Sequence, residues 1–114
     1  MVVNKRKKKW YAAEDLVSHY FRDQGFLLVE KNYTNRGWEL DLIMKNNQTR
    51  LFVEVKCVDA IDDIIDHIGR QKLGVVKKTI NWYFYEVDQG ELDVQLALVY
   101  VKWDSIYQIF YYEN

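Results

Sequence analysis

Proline is missing from this sequence altogether and glycine occurs only five times, so flexible linkers and low-complexity tracts are not indicated. A single cysteine, Cys57, excludes an internal disulfide framework and a zinc site built from several cysteines. No apolar run approaches the roughly 20 residues of a membrane span, and no signal-peptide core follows the start. The expectation is therefore a soluble, cytoplasmic protein without a membrane partner. Histidine is scarce too. His19 and His67 have no spaced partner, and both read as structural or surface residues rather than ligands.

What is present is a core. The 114 residues are 49% apolar and 16% aromatic, with nine tyrosines and four tryptophans, enough for one compact domain. The net charge of −1 conceals an asymmetry. The block Lys5, Arg6, Lys7, Lys8, Lys9 holds five of the 16 basic residues, leaving 11 basic against 17 acidic residues elsewhere, a net −6. Such a block can contact phosphates by counterion release, or it can be a solvated terminus. Residues 1–11 are thus read as a basic tail and 12–114 as one domain.

Apolar spacing at Ala13, Leu16, Val17 and Tyr20 predicts a helix over Ala12–Gln24, stopped by Gly25. Glu14 lies about 60° round that helix from Val17, on the border of the apolar stripe. Strands are expected at Phe26–Asn32, Glu39–Lys45 and Arg50–Cys57. The short polar turn "NNQ" makes the latter two antiparallel neighbours. Ile61, Ile64, Ile65 and Ile68 space as a short helix with an acidic outer face. Leu73, Val76, Ile80, Tyr83 and Phe84 mark a second one, with Gly69 as the break. "LDVQLALVYV" and "SIYQIFYYE" close the chain as another hairpin. The order α-β-β-β-α-α-β-β predicts an α/β (α+β) fold in which helices cover a mixed sheet.

One stretch, "ELDLIMKNNQTRLFVEVK", sets Asp41, Glu54 and Lys56 into strands that otherwise read as sheet interior. A half-buried carboxylate is costly unless it is paired, hydrogen-bonded or bound to a cation. Alternation puts Leu51, Val53, Val55 and Cys57 on one face and Phe52, Glu54 and Lys56 on the other. On the partner strand Glu39, Asp41 and Ile43 share a face, with Leu40 and Leu42 opposite. A register that brings Asp41 against Glu54 would join two carboxylates and an ammonium in one patch. Two oxygen ligands with waters and a backbone carbonyl suit Mg²⁺ or Mn²⁺. A lysine beside them can orient an attacking water or stabilise developing negative charge. The same residues could equally form a solvated salt-bridge cluster on an antiparallel sheet.

"ELDLI" followed by "FVEVK" resembles the D…(D/E)-X-K signature of the PD-(D/E)XK nuclease superfamily. The chain as a whole looks like the YraN-like uncharacterised protein family, described as endonuclease-like and related in fold to archaeal Holliday-junction resolvases. From about Ala12 to Val101 the likeness is carried in order by a series of short motifs. "AED" at Glu14 resembles a "GE" helix, and Asn32 stands where the family has "RN". "GWELDLI" is similar to "GEIDLI" with Trp38 added, and "FVEVK" matches in style. "K…V…I..YF" from Lys72 and "LDVQLALV" at Asp93 complete the series. Where the family commonly has Arg after "EVK", Cys57 and Val58 follow here.

The resemblance implies a restriction-endonuclease-like central mixed sheet flanked by helices. It implies a Mg²⁺ or Mn²⁺ ion held by Asp41, Glu54 and the Val55 carbonyl, with Lys56 assisting the water and Glu14 approaching from the first helix. Gln71 and Lys72 would open the helix after the catalytic strand and, with the Lys5–Lys9 block, contact nucleic acid, DNA in preference to RNA. The function expected is a metal-dependent phosphodiesterase acting on branched or single-stranded DNA. The rival expectation is a nuclease-fold module that binds nucleic acid or protein without chemistry. The tyrosine-rich strand "IYQIFYY" offers a seam for a homodimer.

Overall fold

The computed structural model describes residues 5–35, 38–57 and 93–113. The helices expected around Ile61–Ile68 and Leu73–Phe84 and the expected contacts Gln71 and Lys72 lie outside the described residues. Within them, one helix, α1 (Lys5–Asp23), precedes five strands: β1 (Leu27–Asn35), β2 (Trp38–Lys45), β3 (Thr49–Cys57), β4 (Asp93–Lys102) and β5 (Ser105–Glu113). The sheet order is β1-β2-β3-β4-β5, antiparallel throughout except for the parallel β3–β4 pair. That pair makes the sheet mixed, as expected. A parallel neighbour requires a crossover, and residues 58–92 span it.

α1 begins at Lys5, seven residues before the expected start, so the basic block forms its first turns. Lysine and arginine are good helix formers and nothing in "KRKKK" breaks a helix. The block carries no apolar periodicity, and that left it invisible to a reading by pattern. The far end is closed as its sequence suggests. Gly25 adopts φ 96, the Phe26 N–H donates to the Phe21 carbonyl at 3.0 Å and the Gly25 N–H to Arg22 at 3.0 Å. This is a Schellman cap. Its apolar contact is the edge-to-face packing of Phe21 on Phe26, 6.0 Å between ring centroids.

The helix lies on one face of the sheet. Ala13, Val17 and Phe21 pack there against Leu42, Met44, Leu51, Val53, Val55, Ala97, Val99 and Val101. A second cluster, Tyr33, Leu40, Ile43, Phe52 and Leu96, fills the opposite face. The apolar residues of β3 fall on the faces expected, Leu51, Val53, Val55 and Cys57 on the helix side and Phe52 on the other. In β2 one expectation fails: Leu40 and Leu42 belong to different clusters, although strand alternation puts them together. The cause is across the ladder. Lys31 pairs with Leu42 and Tyr33 with Leu40, and between them Asn32 has φ 52, in the left-handed region. A left-handed residue rotates the chain out of alternation. Lys31 accordingly turns towards α1, where its Nζ meets Asp15 Oδ1 at 2.6 Å, while Tyr33 is buried on the far side. Asp41, opposite Asn32, sits where the phase slips.

In the closing hairpin, Ile106 and Ile109 pack against the helix-side cluster, and Phe110 meets Tyr100 edge to face at 5.7 Å. Tyr107 and Tyr111 stay exposed on β5, the last strand in the sheet order. At the hairpin tip Trp103 holds φ 56 and is 74% exposed, with Lys102 Nζ 5.3 Å from its ring centroid.

Candidate functional site

The β2–β3 hairpin is set at its turn. The Asn46 carboxamide oxygen accepts from the backbone N–H groups of Gln48 at 2.8 Å and Thr49 at 2.7 Å, and the Asn46 N–H donates to the Thr49 carbonyl at 3.0 Å. This Asx turn fixes the register, which runs Lys45–Arg50, Met44–Leu51, Ile43–Phe52, Leu42–Val53. One step further lie Asp41 and Glu54. Here the backbone ladder ends and side chains take over. The Val55 N–H donates to Asp41 Oδ2 at 2.7 Å, and the Asp41 N–H donates to Glu54 Oε1 at 3.3 Å. Each strand's carboxylate is thus tied to the other strand's backbone.

The parting strands and α1 enclose a cleft of about 360 Å³ lined by Tyr11, Glu14, Asn32, Glu39, Asp41, Glu54, Val55 and Lys56. All four expected catalytic residues, Glu14, Asp41, Glu54 and Lys56, line it, as does Val55, the expected carbonyl ligand. Glu14 and Glu54 are only 6% and 7% exposed. For Lys5, Arg6, Lys7, Lys8 and Lys9, what the structure gives is their place in the first turns of α1. Tyr11 lines the cleft too, a residue outside the expected domain because the apolar periodicity of the helix starts only at Ala13. The available signal was spacing: Tyr11 and Glu14 are three apart and share a helix face.

Electrostatically the cleft is loaded with acid. Burial, then the charge of Asp41, pushes the Glu14 carboxyl up to about 7, against the opposing effects of a hydrogen bond from Asn32 and the nearby Lys31 charge. Burial also raises Asp41, although the Val55 N–H and the Lys56 charge oppose it. Glu54 is raised by burial and by Asp41, with Lys56 and the Asp41 N–H again opposing. Carboxyls in this state hold a proton or a cation. The donor set is all oxygen, which suits a hard divalent ion. Among the described residues no three Asp, Glu, His or Cys side chains converge closely enough to enclose an ion by themselves. Two carboxylates with one carbonyl and several waters is the arrangement Mg²⁺ favours.

Known proteins are similar to this chain over most of its length. The chain is 28% identical over 96 residues to a UPF0102 protein of Campylobacter fetus, covering 84% of this chain and 85% of that one. It is 31% identical over 94 residues to a UPF0102 protein of Campylobacter jejuni strain 81-176, covering 82% of each. A Thermotoga neapolitana UPF0102 protein is 30% identical over 77 residues, 68% of this chain and 72% of its own length. The match to the family model spans residues 13–104, from the α1 residue before Glu14 to the tip of the β4–β5 hairpin, and with it the chain belongs to the uncharacterised protein family UPF0102.

Proposed function

We propose that this protein is a metal-dependent phosphodiesterase that cleaves nucleic acid, with DNA as its substrate. The observation that carries the reading is the reciprocal tie of Asp41 and Glu54 across the open end of β2 and β3. It holds two carboxylates together in a cleft where burial and mutual repulsion leave them short of positive charge. Asp41 and Glu54, with the Val55 carbonyl, would hold Mg²⁺ or Mn²⁺. Such an ion, when bound, acidifies a water and screens the charge of a phosphodiester.

The chain's own groups supply the rest. The Val55 and Asp41 amides fix the carboxylate rotamers, so the ligands are in place before substrate arrives. Lys56, on the same strand and in the same cleft, orients the attacking water or offsets charge building on the phosphate oxygens. Glu14, on α1, lines the same cleft and would hold a water of the ion or, with Asp41, a second ion. Its high pKa also suits it to exchange a proton near neutral pH.

The test is calorimetric titration with Mn²⁺ beside a cleavage assay on single-stranded, branched and duplex DNA and on RNA. Wild type should bind the ion, and Asp41→Ala and Glu54→Ala should each lose most of that binding and all cleavage. Equal binding by all three proteins would remove the metal reading. A wild type that binds ion and DNA yet cleaves no substrate would instead be a nuclease-fold binding module.

A further inference from the structure

We propose that Tyr11 stacks on an unpaired base at the mouth of the carboxylate cleft, so that the nucleic acid taken by the site is single-stranded or frayed at the point of attack. This rests on the nucleic-acid reading above and names the form of its substrate. Tyr11 is 55% exposed, yet it lines the same cleft as Asp41, Glu54 and Lys56. A single exposed tyrosine on a surface needs no explanation. One placed a helical turn from Glu14, with its ring open to solvent at the entrance of a site, presents a π-face to whatever enters.

The size of the cleft decides which part of a nucleic acid that can be. At about 360 Å³ it has room for about one nucleotide and not for the breadth of a duplex. A base splayed from its partner can reach the ring at the rim while the one phosphate to be attacked approaches Asp41 and Glu54. Base–aromatic stacking is tolerant of sequence because every base has a π-face.

The helix itself offers the approach. Lys5 to Lys9 occupy the turns immediately before Tyr11. From Lys5 to Glu14 is about 13 Å along the axis, a reach of a few nucleotides. Five basic residues at the positive end of a helix dipole, with no acid in the first turn, run against local electrostatics. A departure of that kind from the local rule is expected where a site needs it. Basic turns, an aromatic ring and a carboxylate cleft follow one another along α1 in the order a single strand would meet them.

The experiment is fluorescence anisotropy with a labelled oligothymidylate and a blunt duplex of equal length, in Ca²⁺ in place of Mg²⁺, for wild type, Tyr11→Ala and Tyr11→Phe. Wild type should prefer the single strand. Tyr11→Ala should weaken that binding by about 5- to 150-fold, the worth of one stacked base, with little change on the duplex, and Tyr11→Phe should retain it. Single-strand affinity unchanged in Tyr11→Ala, an equal loss on both ligands, or a Tyr11→Phe as weak as Tyr11→Ala would each overturn the proposal. Mn²⁺ titration of Tyr11→Ala should match wild type, so failure here is separable from failure of the metal site. If wild type binds neither ligand, this proposal falls together with the nucleic-acid reading, whatever the titration gives.

Discussion

The two ends of the β2–β3 hairpin are built from the same two strands and obey opposite rules. At the turn end the backbone ladder is complete from Lys45–Arg50 to Leu42–Val53, and Ile43, Met44, Leu51 and Phe52 are fully buried between the two apolar layers. At the open end the ladder stops, the strands are joined through carboxylates, and burial raises the pKa of every acid that holds them. The turn end maximises apolar contact, and Arg50 is the one charged residue it buries. The open end spends part of that stability on charge placed out of water. A fold can carry the second arrangement only because the first is a few residues away on the same strands.

The largest effect should come from breaking the turn end. Phe52→Ala removes a fully buried ring from the far-face cluster and should cost about 3–5 kcal/mol. Denaturant unfolding would measure it, with Mn²⁺ affinity unchanged in whatever fraction stays folded. A cost below roughly 1 kcal/mol would mean that the far face is not the support described here.

The open end should respond in rate instead. Lys56→Met keeps the apolar stem and removes only the charge. It should bind Mn²⁺ and DNA as before yet lose about 10²–10³ in cleavage rate, the usual effect of deleting one group that stabilises transition-state charge. Single-turnover kinetics would separate this from a binding defect. Undiminished cleavage would take Lys56 out of the chemistry.

The contrast sharpens with pH. Glu14 rises from an ordinary 4.5 to about 7 in the folded protein, so the folded state binds its proton more tightly than the unfolded chain does. Its contribution to stability is complete below about pH 4.5 and is lost as pH rises through about 7. The metal-free protein should therefore melt at a lower temperature at pH 8 than at pH 5. Mn²⁺ should raise the midpoint, and by more at pH 8, where the carboxylates compete least with protons. Scanning calorimetry at both pH values with EDTA and with Mn²⁺ checks the sign. An equal Mn²⁺ shift at both would uncouple the acids from the ion.

The smallest effect is reserved for Lys31. Its 2.6 Å pair with Asp15 joins β1 to α1 at the surface, and Lys31→Ala should cost no more than about 1 kcal/mol. A larger loss in chemical denaturation would make this exposed pair part of what seats the helix over the cleft.

Much of the turn end could be read in advance. "IMKNNQTRLFV" sets a short polar turn between two apolar runs, and antiparallel pairing follows from connection length alone. The pairing of Asp41 with Glu54 needed one more fact, the register, and that is decided by two hydrogen bonds that the Asn46 carboxamide oxygen accepts and that no periodicity encodes. The slip between Leu40 and Leu42 was illegible for a related reason. Asparagine tolerates the left-handed region better than most residues, but whether Asn32 enters it depends on the strands on both sides. The start of α1 was hidden because a run of like charges has no apolar face to count. Tyr11 was lost with it.

The substitution of carboxylates for carbonyls in the last rungs of the hairpin also bears on how the chain can change over generations. Asp41 and Glu54 close the sheet as well as lining the cleft, so alanine at either position leaves an amide of the facing strand without its acceptor, at about 1–3 kcal/mol when buried. On the proposed function, a descendant that abandoned hydrolysis would still be selected to keep both acids, because shedding them would unfasten its sheet. Lys56 is under no such structural obligation. Within a lineage of this fold, drift at the lysine beside a retained pair of acids would be the earlier record of lost chemistry.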